Sequence, residues 1–313
     1  MHQSKPNNFR SKIASLCIFQ MLVLQTFAQQ KPMRLWFDKP AFQPKEFSYR
    51  AKVFTNPFHF EDKGWFEALP VGNGRLGAMV FGGVFNERIQ LNESSLWDGY
   101  RRKTANHHSA KSLPEVQRLM FDGENDAAEK LAEKTMMGIP LRIKPYQSLG
   151  DLFIEQLSVP ADTVYQAYRR WLSLDSAVAV TQFRYGGITY RREVFASHPA
   201  NVIVIKFSCD KPNGLNLRVK LMRERDATSS AVATDPYCLA MTGRINCLDD
   251  STKQPVGVRF ASYLKAVSKS GKIAVNNNGE MTVQNAGELI LYLSASTDYY
   301  EKNPAQACIQ TLK

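Results

Sequence analysis

Four side chains between positions 75 and 97 have the types that could hold a sugar. Asn92, Glu93 and Trp97, with Arg75 upstream, offer an amide, a carboxylate, an aromatic plane and a guanidinium. Polar and charged groups hydrogen-bond hydroxyls, and an indole gives a flat apolar face for ring C–H groups. The plainer alternative is that Trp97 fills a core and Asn92-Glu93 satisfy a turn. The carboxylates of Glu67, Glu93, Asp98, Asp151 and Glu193 read as turn, cap or surface groups, because the sequence brings no pair together.

Other chemistry has thinner support. Gly72-Asn73-Gly74-Arg75-Leu76-Gly77 matches a dinucleotide fingerprint, but that motif needs a strand before it and a helix after. Gly82-Gly83 follows within six residues, between Val80-Phe81 and Val84-Phe85, which suits strands broken by a turn. His107 and His108 are neighbours whose side chains point apart, so a shared metal is not expected. Ser109 and Ser112 lack the G-x-S-x-G elbow of a serine hydrolase. Cys209, Cys238, Cys247 and Cys308 contain no C-x-x-C pair, which argues against zinc and leaves disulfides or buried thiols open. The residues call for no metal and no cofactor.

The elements that position these residues read as strands. Leu35-Trp36-Phe37 and Tyr49 to Phe54 flank a proline-bearing connection, and Glu87 to Asn92 alternates like a half-buried strand. The clearly helical part is 112 to 137, where Ser112 can cap, Pro114 fits a first turn, and Gly123 separates two helices of a hairpin. Beyond Pro140 short strands follow one another. Gly186-Gly187 is a two-residue turn signal, and the apolar Val-Ile-Val-Ile run within 201 to 208 suits a strand buried on both faces. This spacing predicts an all-β sandwich with a short helical hairpin inserted.

The chain has 313 residues, 44% of them hydrophobic and 22% charged, which are ordinary globular values. Its first 28 residues differ from the rest. Lys5, Arg10 and Lys12 precede a mostly apolar run to Phe27, and Thr26-Phe27-Ala28 supplies the small residues of a cleavage site. A signal peptide over 1–28 is expected, with a secreted or periplasmic product and no membrane association after cleavage; a retained anchor is the alternative. Cleavage would lower the net charge from +11 to +8. The remaining basic residues, such as Arg101-Arg102-Lys103 and Arg191-Arg192, are scattered, so nucleic acid is not an expected partner.

Two longer runs carry a family resemblance. Ala68-Leu69-Pro70-Val71-Gly72-Asn73-Gly74-Arg75-Leu76-Gly77-Ala78-Met79-Val80 and Ile89-Gln90-Leu91-Asn92-Glu93-Ser94-Ser95-Leu96-Trp97 resemble the N-terminal domain of glycoside-hydrolase family 95, α-L-fucosidases that act on 1,2-linked fucose. Tyr146-Gln147-Ser148-Leu149-Gly150-Asp151-Leu152 is similar to that family's Y-Q-x-L-G-D-L segment. The stretches Tyr168 to Asp175 and Tyr190 to Ser197 resemble two more. The resemblance covers about Leu35 to about Asp298.

It implies a large antiparallel β-supersandwich over 29–300, with 301–313 beginning a helical linker to an (α/α)6 barrel. Both carboxylates of the family's inverting hydrolysis would lie in that barrel, so no catalytic residue is expected here. The expectation is therefore a truncated form, inactive alone, of an exported enzyme acting on fucosylated glycans. Its implied partners are a fucosylated oligosaccharide and a separately encoded barrel. Two alternatives stay open: a free-standing carbohydrate-binding module, and a relative of phosphorylases whose N-terminal domain has a similar architecture.

Overall fold

The computed structural model describes residues 32–41, 63–100, 104–139, 144–157, 159–160, 163–249 and 251–313. The expected signal peptide and the second expected strand, at 49–54, lie outside them. In chain order the first elements are β1 (Arg34–Phe37), α1 (Lys63–Glu67), β2 (Leu69–Gly72), β3 (Leu76–Val80) and β4 (Asn86–Glu93). Helices α2 (Ser109–Phe121) and α3 (Asn125–Thr135) come next, then β5 (Gly150–Gln156), β6 (Gln166–Ser173), β7 (Val178–Tyr185), β8 (Ile188–Ser197), β9 (Val202–Cys209) and β10 (Leu215–Met222). The rest are β11 (Ala227–Val232), β12 (Asp235–Arg244), β13 (Arg259–Val267), β14 (Lys272–Val275), β15 (Glu280–Ala286), β16 (Glu288–Thr297) and α4 (Pro304–Thr311).

The strands form two antiparallel sheets, one ordered β1-β6-β7-β8-β9-β16-β13-β12-β11 and the other β14-β15-β10-β5-β4-β3-β2. One contiguous apolar core lies between them, drawn from the inward residues of both, including Ile89, Leu91, Ile154, Ile205, Leu217, Leu264 and Leu291. The all-β reading therefore holds, and its reason is the period-two alternation of β10, LNLRVKLM, whose every second residue is buried. The first half of β9 is buried on both faces, as its apolar run predicts. Gly186 and Gly187 join β7 to β8 with φ of +57° and +79°, the left-handed pair that a two-residue hairpin turn requires.

One local expectation is corrected, and one strand has no sequence signal. Helix α2 begins at Ser109, not after a Ser112 cap, and Pro114 lies inside it. The entry is shaped instead by Asn106, whose Oδ1 accepts the His108 N–H at 3.0 Å while its amide donates to the Thr135 carbonyl at 2.8 Å. One asparagine thus starts the helical arm and clasps its two ends together. Strand β11, sequence ATSSAV, carries too few β-branched or aromatic residues to signal itself; it is held by pairing to β12.

Helix α4 lies against the outward side of β13 and β16. Asn303 caps it by accepting the Gln306 N–H at 3.2 Å, and Pro304 opens it. Its Cys308 is fully buried against Ala261, Tyr263, Cys238 and Ala240. Cys209, Cys238 and Cys308 are free thiols.

Candidate functional site

The glycine-rich run is a β2–β3 hairpin, with Leu69 to Gly72 paired to Gly77 to Val80. A strand follows it where a nucleotide site would need a helix. Asn73 makes the turn: its Oδ1 accepts the backbone N–H groups of Arg75 at 3.0 Å and Leu76 at 2.7 Å. Its amide also donates to the Ser197 carbonyl at 2.9 Å, tying the hairpin to the end of β8.

This turn aims Arg75 at Glu93. In the β3–β4 pairing Leu76 lies opposite Glu93, so the guanidinium one residue earlier reaches the carboxylate, Nε to Oε1, at 3.2 Å. Glu93 is fully buried, because β4 puts Glu87, Ile89, Leu91 and Glu93 on its inward face. Its other oxygen, Oε2, accepts the N–H of Ser95 at 2.8 Å and the Ser95 hydroxyl at 2.6 Å. Ser95 Oγ is in turn 2.5 Å from Thr297 Oγ1 at the end of β16. Arg75 also donates to Ser296 Oγ at 3.3 Å and lies 5.0 Å from the Tyr300 ring centroid. The result is a rim network that joins the ends of β3, β4 and β16.

Asn92 and Trp97 belong to a neighbouring layer. Adjacent strand residues face opposite ways, so Asn92 points away from the Glu93 carboxylate. Tyr146 links this layer: its hydroxyl donates to the Glu93 carbonyl at 2.9 Å and lies 3.4 Å from Asn92 Oδ1. The Trp97 and Tyr146 rings meet edge to face at 5.3 Å, and Trp97 Nε1 donates to the Ser94 carbonyl at 3.1 Å. Trp97 is 42% exposed, so it does not plug the core. Burial, reinforced by the negative charge of Glu93, pushes the Tyr146 phenol up to about 12. Burial also pushes the Cys308 thiol up to about 12.

The four residues singled out from sequence thus fall into two sets, Arg75 with Glu93 inside and Asn92 with Trp97 outside. Sequence reasoning missed Ser95, Ser296, Thr297, Tyr300 and Tyr146. Of these, Ser95 and Tyr146 had a usable signal, as members of matched segments.

Of the carboxylates read as turn, cap or surface groups, Glu93 and Asp151 are buried rather than on the surface, and Glu93 closes the turn at Ser95. Asp151 accepts from Arg88 Nε at 2.8 Å and sits opposite Gln90, on the other face of β4 from Glu93. The two carboxylates do not converge on one space, so together they do not make the acid–base pair of a glycosidase. Among the described residues no three His, Cys, Asp or Glu side chains gather as metal ligands.

The other end of β4 holds a buried carboxylate that the sequence reading overlooked. Glu87 is fully buried and ion-paired with Arg192, which also donates to the Gly83 carbonyl at 3.0 Å. Gly82 N–H donates to Glu87 Oε1 at 2.9 Å. Burial raises the carboxyl above its ordinary value, outweighing the pull of Arg192. Beside it Arg170 donates to the carbonyls of Lys39 at 2.8 Å and Glu67 at 2.5 Å, anchoring two chain segments to the sheet.

Comparison with known proteins fits this architecture. The profile of a family described as "Glycosyl hydrolase family 65, N-terminal domain" matches residues 35–302. "Alpha-L-fucosidase 2" of Arabidopsis thaliana is 30% identical over 276 residues, which are 80% of this chain and 32% of that protein. "Probable alpha-fucosidase A" of Aspergillus niger is 36% identical over 203 residues, 62% of this chain and 21% of its own. The chain spans about a third or less of the length of these relatives. The matches keep the N-terminal glycoside-hydrolase domain of the resemblance, under the description of family 65 where the sequence motifs suggested family 95.

Proposed function

From the premise that this chain belongs to the glycosyl hydrolase family 65 N-terminal domain family, we propose that it is the non-catalytic domain of an exported α-L-fucosidase-like enzyme acting on fucosylated glycans. The names of the relatives support the fucose part. The basic, apolar and small-residue order of positions 1–28 supports export. The observation that carries the non-catalytic part is the state of Glu93. Arg75 and Ser95 engage both of its oxygens in a buried network, so it is a positioning group. It has no free oxygen facing solvent to trade a proton with a substrate.

On this reading, hydrolysis of terminal 1,2-linked α-L-fucose needs an (α/α)6 barrel supplied by further polypeptide, and the rim of Arg75, Trp97 and Tyr146 lies beside the sugar. The test is an assay of the purified chain on a 2′-fucosylated oligosaccharide, alone and mixed with a separately expressed barrel from a relative. Fucose release only in the mixture is the expected result; release by the chain alone overturns the proposal.

A second reading, a free-standing carbohydrate-binding module, is favoured by the exposed Trp97 at the Tyr146 edge. It requires glycan binding by the isolated chain that disappears in Trp97→Ala.

A further inference from the structure

The outward side of the larger sheet carries a second aromatic surface. In β6 the residues Tyr168, Arg170 and Leu172 point inward and are buried, so Arg169 and Trp171 point outward. Trp171 pairs directly with Trp36 on edge strand β1, which puts both side chains on the same face of neighbouring strands about 5 Å apart. Trp36 is 68% exposed, and Arg169 is exposed as well.

Three guanidinium groups surround this pair. Arg34 lies 5.6 Å and Arg191 5.4 Å from the Trp171 ring centroid. Arg169, Gln182 and Arg191 form one cross-strand row over β6, β7 and β8. Glu193, across β7 from Trp171, is held by Arg191 at 2.7 Å. Asp175, in the turn after β6, accepts the backbone N–H of Met33 at 3.1 Å. Among the described residues neither Arg34 nor Arg169 has an ion-pair partner.

We propose that the Trp36–Trp171 face is a binding platform for an acidic saccharide, one bearing carboxylate or sulfate groups. The exposed Trp36 indole gives the flat apolar surface that a sugar ring covers, beside a Trp171 ring already met by Arg34 and Arg191, and Gln182 gives an amide for hydroxyls. The two uncompensated guanidiniums flank the indoles where an anionic substituent would sit, and guanidinium forks match carboxylate and sulfate oxygens. A neutral glycan would leave both charges unanswered. A nucleic acid would want a longer basic track, and beyond Arg191 the described part of this face runs into Glu193 and the Lys206–Glu288 pair. The platform is separate from the rim of Arg75 and Trp97, so it stands whether or not the rim meets a barrel.

Affinity electrophoresis and calorimetry of the purified full chain test this. The probes are polygalacturonate, chondroitin sulfate, dextran and an oligothymidylate, each at low and high salt. The expected result is retention by at least one of the two acidic polysaccharides, weakening with salt. Binding should fall at least about tenfold in Trp36→Ala and in Arg169→Ala and stay unchanged in Trp97→Ala. Retention by polygalacturonate shows that carboxylates suffice, and retention by chondroitin sulfate alone shows that the sulfates are required. Four outcomes overturn the platform: no acidic polymer retained, dextran retained as strongly, the oligothymidylate retained as strongly, or unaltered binding by both variants. Trp36 is exposed on an edge strand, so unchanged circular dichroism should accompany its loss.

Discussion

The two ends of β4 put the same side chain in the same inward position, and the surroundings give it two different jobs. At the first end Glu87 meets Arg192, itself only 7% exposed, and the pair is sealed under the Gly82-Gly83 loop. At the second end Glu93 meets Arg75, 30% exposed, and the network continues through Ser95 to Thr297 at the rim. A sealed pair braces the interior. A pair with one partner at the surface can report what happens outside, because its arginine touches both the buried carboxylate and the exposed Tyr300 ring.

The contrast is best broken at the sealed end, where the largest effect is expected. Glu87→Ala leaves Arg192 charged and buried without its partner, which should cost about 3–5 kcal/mol in urea unfolding. Replacing both residues with apolar ones of similar volume should recover most of that loss, since the intact pair itself adds little. The pH dependence has an unusual sign. Because burial raises Glu87 above its ordinary 4.5, the folded chain holds this proton more tightly than the unfolded one. Its contribution to stability is therefore greatest at acid pH and declines as pH rises from 4.5 through the raised value. A stability curve whose slope in that window is the same with and without Glu87 would contradict this.

Gly82 tests the same end by steric means. Its φ is +72°, and an added Cβ would lie 2.7 Å from Arg170 Cδ and 2.8 Å from the Tyr168 hydroxyl. Gly82→Ala should therefore cost about 2 kcal/mol through backbone strain and crowding together. At the open end the penalty should be smaller. Glu93→Gln keeps an acceptor for Ser95 and lets Arg75 turn to water, so about 1 kcal/mol is expected. Equal losses at the two ends in the same urea series would erase the distinction drawn between them.

How much of this was legible in the sequence follows from periodicity. The alternation of Glu87 to Asn92 identified the strand, and the turns at Gly82-Gly83 and Gly186-Gly187 came from turn chemistry that acts within a few residues, whereas Asn73-Gly74 stood out only as part of a mismatched nucleotide motif. The burial of Glu87 was not legible, because its partner Arg192 is 105 residues away and only the sheet topology joins them. Thr297 reaches Ser95 across 202 residues, and no local pattern joins the two. Arg75 and Glu93 could be paired as types but not as neighbours in space, and Asn92 looked like part of the same site because adjacent residues on a strand read as one motif.

The smallest expected effect sharpens the open end most. Tyr146 joins the exposed Trp97 layer to the buried Glu93 through a hydroxyl that donates to the Glu93 carbonyl. Its phenol should ionise near 12 in the folded chain, against an ordinary value of 10.0. Since the unfolded chain loses this proton first, the contribution of Tyr146 to stability is complete below 10.0 and falls as pH rises toward about 12. Carbon-13 labelling at tyrosine Cζ would follow the ring directly by nuclear magnetic resonance. Glu93→Gln removes the negative charge but not the burial, so it should bring the titration only part of the way down. A full return to 10.0 in that variant would mean that charge governs the phenol, and no change at all would mean that the Glu93 carboxylate is not felt at the rim. The intermediate shift is the one that requires Tyr146 to be both half-enclosed and coupled to the Arg75–Glu93 pair, as the geometry has it.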